Sequence, residues 1–314
     1  MPWLIGIDEA GYGPNLGPFV MSAVACRVDA ATPSCLWDAL QSAVRRAGGK
    51  RDPRIVIDDS KKVYGSGKTL AGLERGVLAL LDQRPTTLAE FVRLLTDETQ
   101  FSELASERWW RGTTTIPTEV TADEADDCYR SLHSASEQAG VREWRIVAGV
   151  VCPRRFNRIT ARAGTKSVVL ADGFVRLVQT LFDSTQDNLD VKADKQGGRN
   201  TYRLQVQQAV GGLVRTVEEN EERSRYETAV NGRVVTVTIE PRADASNLCV
   251  AWASMVSKYV RELCMREFNA FWANHLPNLT PTAGYPSDAP RFLASIQEKA
   301  VELGLTREEL WREK

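Results

Sequence analysis

Residues 2–9 (Pro-Trp-Leu-Ile-Gly-Ile-Asp-Glu) read as a short apolar strand that ends in two carboxylates. Such a strand belongs in the buried centre of a sheet. Burying charge without a partner is costly, so a strand that stops in Asp8 and Glu9 invites a cation. Successive side chains on a strand face opposite ways. Both acids are therefore expected to serve one site only if the chain bends at once, and Gly11 and Gly13 permit that bend. The duller alternative is an exposed acidic turn.

The rest of the chain supplies elements around that strand. Phe19–Val28 predicts a second strand, with Pro14 and Gly17-Pro18 marking the loop between them. A helix is expected from about Pro33 to Arg46, a loop at Asp59-Ser60, and another helix from Leu70 to Leu81. Residues 97–142 are the least regular part and read as an insertion, with an acidic helical pattern from Ala122 to Gln138. A strand over Trp144–Val151, a helix over Ser167–Phe182 and a strand over Leu189–Asp194 follow. Asn231-Gly232 between Tyr226–Val230 and Arg233–Ile239 signals a hairpin, because Asn-Gly supplies the positive φ of a tight turn. Leu248, Ala251, Trp252, Met255, Val256, Tyr259 and Leu263 then form one apolar helical face. Strands mixed with helices in this way suggest an α/β or α+β core. The expected organisation is one domain over residues 1–314, with 244–314 as its C-terminal helical part.

Charge and cysteine usage exclude several classes. The 40 Lys+Arg against 41 Asp+Glu give a net charge of −1, so any case for nucleic-acid binding must rest on local clusters. Six cysteines are spread singly and there are two histidines, which disfavours a zinc site and a disulfide framework. A reducing cytoplasm is the simplest compartment. No apolar run approaches the roughly 18–20 residues of a membrane helix, and no basic region precedes the apolar start, so neither a span nor a signal peptide is expected. Gly65-Ser66-Gly67-Lys68-Thr69 ends like a phosphate-binding loop, but Lys62 stands where its first glycine is required.

Further acids lie at element ends. Asp194 closes the strand from Leu189, and Asp244 stands where the long helix begins, where Asp244 or Ser246 is alternatively a plain N-cap. Asp172-Gly173 also follows an apolar run. Scattered carboxylates with no histidine or cysteine cluster suit hard cations such as Mg²⁺ or Mn²⁺. A pair of such ions roughly 3.5–4 Å apart is the usual device for phosphodiester hydrolysis. Arg154, Arg155, Arg158, Arg162 and Lys166 form a basic stripe that either tracks a phosphate backbone or is a solvated face. Glu218, Glu219, Glu221 and Glu222 are expected to keep the turn before the hairpin soluble.

Four segments, in order, resemble the ribonuclease HII family. They are Asp8-Glu9-Ala10-Gly11-Tyr12-Gly13-Pro14-Asn15-Leu16-Gly17-Pro18; Asp59-Ser60-Lys61-Lys62; Arg242-Ala243-Asp244 leading into Ala253-Ser254-Met255-Val256-Ser257-Lys258; and Gly284-Tyr285-Pro286-Ser287-Asp288, which is most similar to the archaeal form. The resemblance implies a ribonuclease H-like mixed sheet flanked by helices. It implies a monomeric metal-dependent endoribonuclease acting on RNA–DNA hybrids or at ribonucleotides embedded in duplex DNA. It further implies two Mg²⁺ or Mn²⁺ ions on Asp8, Glu9, Asp194 and Asp244, with Asp8 bridging and Asp172 as the alternative third acid. Gly11, Tyr12 and Gly13 fall on the segment that contacts the ribose 2′-hydroxyl and phosphates, Lys61 on a phosphate neutraliser, and Tyr285 on the tyrosine that packs on the sugar. Tyr12 replaces an arginine, so phosphate grip is expected to weaken, with Arg199 or Lys195 as candidate substitutes. The alternatives are a nuclease of the same fold with another nucleic-acid specificity, and a non-catalytic hybrid-binding module.

Overall fold

The computed structural model describes residues 1–32, 35–49, 52–65, 69–197 and 199–313. Its strands are β1 (Trp3–Ala10), β2 (Phe19–Val28), β3 (Val44–Arg45), β4 (Ile55–Val56), β5 (Val141–Val151), β6 (Leu189–Asp194), β7 (Arg215–Glu219), β8 (Ser224–Val230) and β9 (Arg233–Glu240). Seven of them form one mixed sheet of order β5-β2-β1-β6-β9-β8-β7. β1 pairs antiparallel with β2 and parallel with β6, and β6 pairs parallel with β9. The carboxyl ends of β1, β6 and β9 therefore share one edge of the sheet. The expected mixed sheet flanked by helices, with a helical region after Asp244, is the observed architecture.

Alternation along β2 splits its side chains between two cores. Val20, Val24 and Cys26 pack on the side of the long helix Leu248–His275. Phe19, Met21, Ala23 and Ala25 pack with helices Pro153–Ala163, Ser167–Ser184 and Arg203–Val210. The long helix lies directly on β1. A Cβ on Gly6 would fall 2.1 Å from both the Cys249 carbonyl carbon and the Val250 nitrogen. The helix was expected to bury one face, yet Cys249, Val250, Ala253, Val260 and Cys264 are buried as well. The sheet covers one side and helix Ala71–Leu78 another, where Trp252 Nε1 donates to Gly76 O at 2.7 Å. A helix covered on several sides reads as apolar nearly all round.

Elsewhere the structure corrects the expected elements. Among the described residues of Pro33–Arg46 only Leu36–Ala39 is helical, and Pro33 and Ser34 lie outside the described residues. Val44 and Arg45 form β3 instead, because the Ala43 and Arg45 carbonyls accept from Ile55 and Ile57 amides at 2.8 and 2.9 Å. This non-local ladder outcompetes a weak local preference. Ser60, expected in a loop, opens helix Ser60–Gly65, and Ser66, Gly67 and Lys68 lie outside the described residues. Residues 97–142 are more regular than expected. They hold Glu98–Ala105 and Ala122–Ala139, the latter started by a Thr121/Glu124 capping box. The hairpin turn is as expected, with Asn231 at φ 53° and Gly232 at φ 76°.

Candidate active site

In a sheet with parallel strands, side chains at the carboxyl ends meet along one edge, where such folds place their sites. Asp8 and Glu9 stand near the end of β1, and Asp194 is the last residue of β6. Asp244 lies in a short helix, Ala243–Ser246, just after β9. All four line one cleft of about 580 Å³, joined by Asp59, Lys61, Lys62, Arg242, Ser60 and Ser254. The expected bend straight after the acids does not occur, since β1 continues through Ala10. Alternation puts Asp8 on the Gly6 side of the strand and Glu9 on the Ile7 side. Both reach the cleft because it lies across the strand's end. Gly11 has φ 83° and leaves room for the Arg261 side chain, whereas Gly13 has neither a positive φ nor a close neighbour.

The turn after β9 places the fourth acid. Arg242 adopts a left-handed conformation at φ 57°, uncommon for a residue with a long side chain. The cap of the long helix is Asn247, whose side chain accepts from Val250 N at 3.1 Å. Neither Asp244 nor Ser246 has that role. Asp172 stands apart in helix Ser167–Ser184, where it accepts from Arg176 Nε at 2.9 Å and faces Arg155 at 4.0 Å.

The acids disturb one another. Burial, then the charges of Glu9 and Asp194, hold Asp8 well above the usual carboxylate range, against a lowering contact with the Ser254 hydroxyl. Burial, then Asp194, pushes Glu9 up to about 7, while Lys61 draws it down. Asp244 is raised by burial, then by Asp59 and Asp194. The long helix supports this edge from below. Ser257 Oγ donates to the Asp8 carbonyl at 3.0 Å, and Ser254 Oγ bonds Ser60 Oγ at 3.0 Å.

The donor set is all oxygen, the chemistry that Mg²⁺ and Mn²⁺ prefer. Among the described residues no three acidic, histidine or cysteine side chains stand as a finished ion cage. Asp8 Oδ1 instead accepts from Glu9 N at 2.8 Å, and Asp194 Oδ1 from Lys195 N at 2.9 Å. The fit to a divalent cation rests on donor chemistry and on a mutual repulsion that a cation would relieve.

The remaining predicted residues divide. Lys61 is exposed at the rim of the cleft. Tyr12 is half-buried, with its ring edge-on to Phe19 at 6.2 Å. Burial, then Glu9, raises its phenol, and Arg199 lowers it. Tyr285 does not line the cleft. It is 44% exposed, its ring 5.7 Å from the buried Arg261 guanidinium. Its loop is tied to the glycine segment, since Gly284 O accepts from Asn15 N at 2.8 Å and Leu16 N at 3.2 Å. Lys195 points elsewhere, with Nζ donating to Glu221 O at 2.8 Å. Most of the basic stripe is neutralised. Arg154 pairs with Glu309, while Arg155 and Arg158 share Glu103.

Among the solved structures that this chain resembles are several ribonucleases H. It matches "Structure of the PCNA:RNase HII complex from Archaeoglobus fulgidus" at TM-score 0.45 and 15% identity, covering 99% of this chain and 94% of that one. The ribonuclease H2 of Pyrococcus horikoshii OT3 gives TM-score 0.44 and 15% identity, covering 98% and 92%. Bst-RNase HIII, solved in complex with Mn²⁺, gives 0.39 and 16%, covering 99% and 66%. No family model matches the chain, and neither does any curated protein.

Sequence reasoning missed Asp59, Arg242 and Ser254 as cleft residues. All three stand inside the segments quoted for the ribonuclease HII resemblance, which was the available signal. No helix among the described residues is long and apolar enough to cross a membrane.

A second cavity, of about 170 Å³, lies away from the acids and is lined in part by Glu107, Cys152 and Trp109. Burial pushes Glu107 up to about 7, against the pull of Cys152 and Arg154. A carboxyl whose pKa is raised on folding stabilises the fold while protonated. That contribution is whole below the unfolded value and is lost as pH rises through about 7. Glu107→Gln is therefore expected to flatten the fall in unfolding free energy between about pH 5 and 8. Urea denaturation across that range checks it, and identical pH slopes for the two proteins would refute it.

Proposed function

We propose that this chain is a divalent-metal-dependent endonuclease of the ribonuclease H type. Its substrate would be the RNA strand of RNA–DNA hybrids, or a ribonucleotide embedded in duplex DNA. The observation that carries the reading is the meeting of Asp8, Glu9, Asp194 and Asp244 in one cleft at the ends of three neighbouring strands. A pair of Mg²⁺ or Mn²⁺ ions held by these acids would supply water activation and charge neutralisation at the scissile phosphate. Ser257 and the close-packed long helix hold the Asp8 backbone in place. Lys61 and Arg242 give the rim of the cleft positive charge towards a polyanion. The glycine segment reads the ribose 2′-hydroxyl, the group that separates RNA from DNA, and the exposed Tyr285 ring packs on a sugar beyond it.

Tyr12 favours a second reading, a nuclease of the same fold with different specificity, because a phenol brings no charge to the recognition loop. Incubation with duplex DNA carrying one ribonucleotide, in Mg²⁺ or in Mn²⁺, tests both. Cleavage at the ribonucleotide, leaving 3′-hydroxyl and 5′-phosphate ends, is the expected result. Equal cutting of an all-DNA duplex would establish the second reading. No cutting of either substrate, or of an RNA–DNA hybrid, would overturn both.

A further inference from the structure

Two cations beside Tyr12 rest only on neutral groups. Lys166 immediately precedes helix Ser167–Ser184, and its ammonium lies 4.8 Å from the centre of the Tyr12 ring. Arg199 Nη2 donates to the hydroxyl of the adjacent Ser167 at 3.4 Å. With the Gln205 amide turned to satisfy both of its atoms, its oxygen accepts from Arg199 Nη1 at 2.7 Å. The Arg199 guanidinium also lies 5.9 Å from the Tyr202 ring, and the Tyr202 hydroxyl donates to the Arg199 carbonyl at 2.9 Å. Neither cation makes an ion pair with a carboxylate among the described residues. The contrast with Arg154, Arg155 and Arg158 is direct, since each of those is matched by a glutamate.

A cation held on an aromatic face or a hydroxyl keeps its charge for an incoming anion. The positive end of an 18-residue helix dipole adds to it here. The location gives the charge a purpose. An acid cleft repels a polyanion, and a strand can lie across it only where nearby cations offset that repulsion. Tyr12 comes shortly after Glu9 in the chain and Arg199 shortly after Asp194, so the cationic pair stands on the segments that leave the acids.

We propose that Lys166, seated on Tyr12, and Arg199, held on Ser167, clamp a backbone phosphate of the nucleic-acid strand that lies in the cleft. The inference rests on the nucleic-acid reading of the cleft and assigns the grip that the phenol of Tyr12 cannot supply.

The test measures binding of a labelled duplex DNA with one ribonucleotide, in EDTA, across a salt series. Lys166→Gln and Arg199→Gln are each expected to weaken binding several-fold. Each should also lower the slope of log affinity against log salt by about one. Lys166→Arg should keep the wild-type slope. Arg162→Gln removes an exposed charge on the preceding helix and should leave the slope unchanged. In cleavage assays the clamp variants should raise KM and spare kcat. If wild type cuts the substrate while the two glutamine variants keep its slope, the clamp is wrong and the nuclease reading stands. The clamp is equally wrong if Arg162→Gln lowers the slope as much as they do. If wild type binds duplex without cutting, the nuclease reading falls and the slopes still decide the clamp. If wild type binds no duplex at low salt, both fail.

Discussion

Asp8→Asn is expected to abolish cleavage while making the metal-free protein more stable. The two effects share one cause. Asp8 is half-buried, and loss of water around its carboxyl, then the charges of Glu9 and Asp194, holds it well above the usual range. Charging it at neutral pH therefore costs stability, and the cost disappears below the unfolded-state pKa. The amide has nearly the same shape and no charge, so it removes that cost. It also removes a negative oxygen donor from the proposed ion pair. If the lost charge stabilisation is about 4 kcal/mol, the rate falls roughly a thousand-fold. Single-turnover cleavage and thermal melts with and without Mn²⁺ check the pair. Wild type should gain melting temperature from Mn²⁺ and Asp8→Asn should gain little. A variant that cuts at the wild-type rate would remove Asp8 from the chemistry.

Gly6→Val carries the largest expected effect on stability. The added Cβ would meet backbone atoms of Cys249 and Val250 at 2.1 Å, and backbone cannot rotate aside as a side chain can. The long helix must therefore lift off β1. That helix carries Trp252, Tyr259, Phe268 and Trp272, all buried, so the disturbance reaches much of one core. Overpacking of well-packed interiors commonly costs about 1–3 kcal/mol, and a clash with main chain belongs at or above the top of that range. Denaturant unfolding measures it. A loss below about 1 kcal/mol would mean that the helix slides over the strand freely.

How much of this was legible in the chain depended on where the deciding contacts were. Phe19–Val28 and Leu189–Asp194 could be bounded to the residue because apolar runs there stop against turn-forming neighbours. The Asn231-Gly232 hairpin was legible for the same local reason. The acids were visible as the ends of elements. Their meeting depends on the pairing of β6 with β1 and β9, a crossover order that no local pattern encodes. β3 was misread because its ladder partners lie ten or so positions along the chain, beyond the reach of helix periodicity. Gly6 drew no notice, since a glycine in a strand announces close approach only once the approaching backbone is known. Lys166 was read as one of five similar stripe residues. Only the folded arrangement separates it from Arg154, Arg155 and Arg158, which have glutamate partners.

Arg312 ties the far end of the chain to the loop beside the acids. Its backbone N–H donates to Asn15 O at 2.8 Å, and its Nη1 donates to Gly11 O at 2.7 Å across 301 positions. Burial, then the charge of Arg261, presses Arg312 down to about 9, so the guanidinium still carries its proton at neutral pH. The Gly284 carbonyl grips the same loop at Asn15 and Leu16, so two segments remote in the chain fix the backbone that follows Glu9, and neither can do so before the fold has closed around it.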